Sequence, residues 1–183
     1  MTKKFKQLKR EVIYSGRIVH LEKLCLRAPN QKIVVRELIR HPGAAVIIPV
    51  LPDGRLVLVY QHRAAIDGWL LEFPAGTLER NESSRKCAYR ETIEETGYRP
   101  GKLTKLVDFY PAPGISTEHM FIYVATKLTS DQHCLDDDEF LKAKIFSRRA
   151  IEEKIRNGKI KDGKTIIGFF YYLEYLKSAR SAS

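Results

Sequence analysis

Residues 76–98 carry the pattern that most constrains this chain: Gly76, Glu82, Arg90-Glu91, Glu94-Glu95 and Gly97 at fixed intervals. The spacing predicts a loop that turns into a helix. Ser83 or Ser84 can cap the helix by accepting an orphan backbone N–H, and Gly97 suits the left-handed residue that ends it. Glu91 and Glu95 are four apart and project from one face, with Glu94 on its flank. Like charges so placed repel by about 0.2–0.5 kcal/mol per pair in an isolated helix. A hard divalent cation held among their oxygens would turn that cost into a gain. Taken alone, such a run more often means a solvated acidic face.

The chain of 183 residues is long enough for one ordinary domain, or one domain with a small appendage, and can bury a core without disulfides. Three cysteines (Cys25, Cys87 and Cys134) show no paired metal spacing, and their odd number argues against a disulfide framework. A reducing, cytoplasmic setting is the simplest reading. The basic N-terminus has no apolar stretch behind it, so no signal peptide is expected, and no run approaches the roughly 18 apolar residues of a membrane span. The net charge of +10 raises a nucleic-acid partner. The basic residues are scattered, with modest clusters at 3–10 and 148–164, and no stretch interleaves them with aromatics in a recognisable RNA-binding pattern. Attraction of an anionic small molecule accounts for the charge as well.

Along the chain, residues 11–14, 16–26 and 32–40 read as three strands with a turn at Pro29-Asn30. His41-Pro42-Gly43 is a break. Residues 1–42 are therefore expected to form a small antiparallel β subdomain ahead of a main domain at 43–183. Some 40 residues of sheet are too few to stand comfortably alone, so the subdomain should pack on the main domain or on a second subunit. In the main domain, strands are expected at 44–50, 55–60, 103–109, 119–126 and 143–146, with Pro52-Asp53-Gly54 as a turn. Helices are expected near 148–157 and 165–177. The expected fold class is α/β, a mixed sheet with helices on both faces.

The Gly76–Gly97 pattern resembles the signature of the Nudix hydrolases at every charged and glycine position. One departure is Thr92, where the family usually has an aliphatic residue, and this predicts altered packing under the helix with the chemistry kept. The resemblance implies an α/β/α sandwich. The order Tyr14-Ser-Gly-Arg17, Arg36-Glu-Leu-Ile-Arg40-His41-Pro42-Gly43, Val59-Tyr-Gln-His-Arg63, Leu71-Glu-Phe-Pro-Ala-Gly76 and Tyr110-Pro-Ala-Pro-Gly114 looks like the branch of ADP-ribose pyrophosphatases and nucleoside diphosphate sugar hydrolases. It implies hydrolysis of a pyrophosphate bond with Mg²⁺, or Mn²⁺ in its place, as cofactor.

By the same resemblance, Glu91 and Glu95 are metal ligands together with the Ala75 carbonyl, and Glu94 is a further ligand or shapes the acidic cluster used in catalysis. Glu82 pairs with Arg90 to fix loop against helix, and Gly76 and Gly97 are structural members of the motif. The general base is expected from the acidic run 136–139, with Glu139 first and Asp137 second. Arg63 is placed near the diphosphate, Glu72 near the terminal ribose or a metal-bound water, and Glu118 in the same region. Pro113 marks the branch. The β subdomain of this family swaps between subunits of a homodimer, so Arg36 or Tyr14 is expected to reach the base across that interface. Two alternatives stay open: a hydrolase preferring GDP-mannose or ADP-glucose, and a non-catalytic ADP-ribose sensor. The complete set of motif carboxylates argues against the sensor.

Overall fold

In the computed structural model of the chain, residues 4–131 and 141–181 are described. The fold has two compact units. The first takes the chain up to Gly43 together with Tyr110–His119, and the second takes Ala44–Phe109 and the chain from Met120 onward.

In the first unit, β1 (Lys6–Ser15), β2 (His20–Arg27) and β3 (Ile33–Arg40) form an antiparallel sheet in that order. The turn falls where Pro29-Asn30 predicts it, with Gln31 in the left-handed region at φ 67°. β1 starts five residues earlier than the apolar pattern suggests. Its Lys6–Arg10 stretch is exposed throughout, so alternation never marks it. Glu22 on β2 is buried between Arg10 and Arg40 on the flanking strands; Arg40 Nε donates to Glu22 Oε2 at 2.7 Å. The segment Tyr110–His119 adds to this unit through Ile39, whose N–H donates to the Ile115 carbonyl (2.8 Å) and whose carbonyl accepts from Thr117 N–H (3.0 Å).

The second unit holds two sheets. β4 (Ala44–Pro49), β7 (Ala75–Thr77), β8 (Tyr98–Phe109) and β9 (Met120–Ser130) make a four-stranded sheet in the order β7-β4-β9-β8; β5 (Leu56–Arg63), β6 (Gly68–Glu72) and β10 (Leu141–Phe146) make a three-stranded one in the order β10-β5-β6. The β4–β9 pair is parallel and the other pairs are antiparallel, so the larger sheet is mixed. β4 is buried along its whole length because both faces are covered, which is why it reads as a continuous apolar run rather than an alternating one.

Helices α1 (Ser84–Thr96), α2 (Arg148–Arg156) and α3 (Gly163–Ser181) complete this unit. One core packs Cys87 and Ala88 of α1 against Ala45, Ile47 and Tyr123 of the strands. The other packs Ile151 of α2 and Phe169 and Tyr172 of α3 against Val46, Ile48, Leu56 and Phe73. Adjacent β4 residues thus point to opposite cores, which gives the expected α/β/α layering. Two short strands, β6 and β7, escape a reading by periodicity. β8 begins at Tyr98, ahead of the expected 103; Pro100 is tolerated there because β8 is an edge strand.

Candidate active site

α1 begins and ends as its sequence predicts. Of the two serine candidates, Ser83 is the cap, accepting the Lys86 N–H, while Ser84 Oγ bonds the Tyr123 hydroxyl at 2.8 Å. Gly97 takes the left-handed conformation at φ 69° and its N–H returns to the Ile93 carbonyl. Thr92 is fully buried and donates its hydroxyl to the Ala88 carbonyl, so the departure from an aliphatic residue is absorbed within the helix.

Glu91 and Glu95 lie on the inward face at 6% and 2% exposure. Both meet the bend that carries Ala75 and Gly76. Ala75 N–H donates to Glu95 Oε2 at 3.0 Å. The Glu91 carboxylate packs on Gly76 so closely that a Cβ there would stand 1.7 Å from Oε1. The missing Cβ at 76 is what leaves room for the carboxylate in this position. Glu94, more exposed, sits on the flank as its spacing predicts.

Arg90 ties the loop to the helix. Its guanidinium donates to both Glu82 oxygens (3.1 and 3.0 Å), to Glu91 Oε1 (2.5 Å), to Glu94 Oε2 (2.9 Å) and to the Thr77 carbonyl (3.2 Å). Burial opposes its charge, but the surrounding carboxylates win and raise its pKa further above the usual arginine range. In turn Arg90 holds the Glu82 carboxyl below its ordinary value. Cys87, beneath them, is a packing residue: burial and then the Glu91 and Glu82 charges push its thiol up to about 12, so it stays protonated at neutral pH.

A second ionic cluster lies at the start of α3. Arg63, the last residue of β5, makes a fork-to-fork pair with Glu72 of β6, Nε to Oε1 at 2.9 Å and Nη2 to Oε2 at 2.7 Å. Glu72 is 1% exposed and also takes a close contact from the Lys164 ammonium, which reaches Asp162 Oδ1 at 3.0 Å. Burial pushes the Glu72 carboxyl up, and Arg63 and Lys164 together overcome it and bring it below the ordinary range. The Arg63 pKa is raised first by its bonds to Glu72, with the charges of Glu95 and Asp162 adding to the effect. Asp162 and Lys164 carry no sequence signal of a site beyond the Asp-x-x-Thr cap, which Asp162 opens and within which Lys164 lies.

Arg36, Pro113 and Glu118 belong to the first unit, where Glu118 Oε1 lies 3.9 Å from His41 Nε2. Glu139 and Asp137 lie outside the described residues.

A family model of the NUDIX domain matches residues 40–166, and the chain belongs to the NUDIX family. It is 33% identical over 174 residues to an ADP-ribose pyrophosphatase of Bacillus subtilis, covering 94% of this chain and 92% of that one. It is 36% identical over 168 residues to a methanol dehydrogenase activator of Bacillus methanolicus, at 91% of each. A solved structure described as an ADP compounds hydrolase superposes with a TM-score of 0.87 over 98% of this chain and 97% of that one, at 24% identity, which bears on the fold alone. The chain is thus an enzyme of the Nudix hydrolase class, a class that generally works with a divalent metal.

The donor chemistry here fits such an ion. Glu91, Glu94 and Glu95 offer hard carboxylate oxygens, and the absent Cβ of Gly76 leaves the cradle into which Glu91 fits. Among the described residues no three such side chains already converge as ligands; Arg90 stands between Glu91 and Glu94. Among the described residues, no helix is long and apolar enough to cross a membrane.

Proposed function

We propose that this enzyme hydrolyses the pyrophosphate bond of ADP-ribose and related nucleoside diphosphate sugars, giving a nucleoside monophosphate and a sugar phosphate. The observation that carries the reading is the pair of buried carboxylates, Glu91 and Glu95, seated on the Ala75–Gly76 bend beside the Arg63–Glu72 pair. Acidic groups for a cation and a cationic fork for a diphosphate are the two needs of this reaction. The relative named ADP-ribose pyrophosphatase spans nearly the whole chain and supports the same substrate class.

In this reading Glu91, Glu95, Glu94 and the Ala75 carbonyl would hold Mg²⁺, or Mn²⁺ in its place. When bound, the ion would neutralise phosphoryl charge and acidify a water. Arg90 would keep Glu91 and Glu94 oriented from the far side, anchored by Glu82. Arg63 would turn its guanidinium to the diphosphate, and Glu72 would orient Arg63. A carboxylate from the acidic run, Glu139 before Asp137, would accept the proton of the water as the bridging P–O bond breaks. The β subdomain at 1–42 would serve as a swapped dimer contact that brings Arg36 to the partner's substrate, with Pro113 and Glu118 bordering it. The lack of paired cysteine spacing supports a cytoplasmic setting.

The test is a divalent-metal-dependent hydrolysis panel of ADP-ribose, GDP-mannose, ADP-glucose and nucleoside triphosphates, with Glu95→Gln as control. Cleavage of the sugar-linked diphosphates, reduced by about three orders of magnitude in Glu95→Gln, is the expected outcome. Tight ADP-ribose binding with no cleavage under any metal would replace the enzyme reading with a sensor.

A further inference from the structure

We propose that Lys164 is a positioning residue for the substrate diphosphate: it keeps Glu72 fixed as a carboxylate when Arg63 turns away to the phosphates. The proposal rests on the reading of Arg63 as the residue that meets the diphosphate.

Glu72 is nearly inaccessible, yet it receives two cations of very different exposure. Arg63 ends a strand and its side chain is 38% exposed. Lys164 is 9% exposed and is pinned by both Glu72 and Asp162. Asp162 is itself fixed, because its Oδ2 accepts from Thr165 N–H (2.9 Å) and from the Thr165 hydroxyl (2.6 Å). That hydroxyl also accepts the Phe73 N–H at 2.7 Å, next to Glu72 in the chain. The more exposed cation is Arg63, and the more enclosed one, Lys164, is tied through Asp162 and Thr165 to the backbone next to Glu72.

The location of Lys164 makes little sense for the helix itself. An ammonium in the first turn of α3 opposes the helix dipole, and lysine is rarely this buried without a partner. What it does satisfy is Glu72. If Arg63 were the only partner, every movement of Arg63 toward an anion would leave a buried carboxylate unpaired, which is strongly unfavourable. With Lys164 in place, the carboxylate keeps one charge partner throughout. Glu72 can then act as a fixed hinge from which Arg63 swings between an internal and an external anion. With Asp162 included, the two carboxylates and two cations balance, so the unliganded cluster carries no net charge.

The experiment uses the full chain with ADP-ribose and saturating Mg²⁺, comparing wild type, Lys164→Met and Lys164→Arg by steady-state kinetics, and by calorimetric binding of ADP-ribose with Ca²⁺ in place of Mg²⁺. Lys164→Met is expected to raise KM and Kd about tenfold while kcat changes by less than about threefold, and Lys164→Arg to recover most of the loss. A merely structural lysine would instead reduce thermal stability and the active fraction, leaving KM as it was. Should Lys164→Met not fold, Lys164→Gln, which keeps a donor without the charge, makes the same comparison. Wild-type KM and Kd in the neutral variant would overturn the role of Lys164 alone. A wild-type chain that neither binds nor cleaves ADP-ribose or another nucleoside diphosphate sugar would overturn the functional reading along with it.

Discussion

Gly76 shows how one missing atom shapes the site. The nearest neighbour of an added Cβ is the Glu91 carboxylate, with Oε1 at 1.7 Å and Cδ at 1.9 Å. A carboxylate is the free end of a flexible side chain, so Gly76→Ala should be tolerated by the fold while forcing Glu91 to move. The expected result is a loss of only a few degrees in Tm and a fall in kcat of about a hundredfold, the usual cost of misplacing a reacting group by an ångström. Normal turnover in a folded Gly76→Ala enzyme would contradict the placement of Glu91 at the reaction centre. At this scale the sequence is a good guide where spacing along one helix decides the geometry. Glu91, Glu94 and Glu95 are arranged by helical pitch, and the pairing of Glu82 with Arg90 lies close in the chain. The Glu72–Lys164 contact spans 92 residues and depends on tertiary packing, so no local pattern announces it.

Among the elements, α3 shows how a helix start can support a site. Thr165 is fully buried and its hydroxyl bridges the Asp162 cap and the Phe73 N–H. Thr165→Val keeps the shape but leaves the Phe73 donor unsatisfied, which should cost about 1–3 kcal/mol in urea unfolding. Because Phe73 adjoins Glu72, KM should rise as well. The sequence shows this helix through its apolar circumference and places its start within two residues. It does not reveal β6 or β7. β6 is half buried without alternation and β7 has three residues, too short for a period to register. Yet these two strands deliver Glu72, Ala75 and Gly76 to the site. The short strands are hard to read because the bend between them answers to α1 rather than to its own neighbours.

For the molecule as a whole, buried and paired carboxylates set the acid limit. Glu72 and Glu82 both have folded-state pKa values below the ordinary 4.5. Their contribution is therefore complete above pH 4.5 and is lost as pH falls through the lower folded values. Urea midpoints should hold nearly level from about pH 7 to pH 5 and decline steadily below about pH 4.5. A midpoint unchanged down to pH 3 would show that these pairs add nothing. The parallel pairing of β4 with β9 has a different consequence, for synthesis. Residues 44–49 leave the ribosome long before residues 120–125, their partner strand, exist. Until then an apolar strand has one flank open and both faces partly bare, a template for stray association. Bacterial or eukaryotic, a host making this enzyme quickly should find its yield limited by nascent chains halted before residue 120, and chaperones that shield extended apolar segments should relieve that limit.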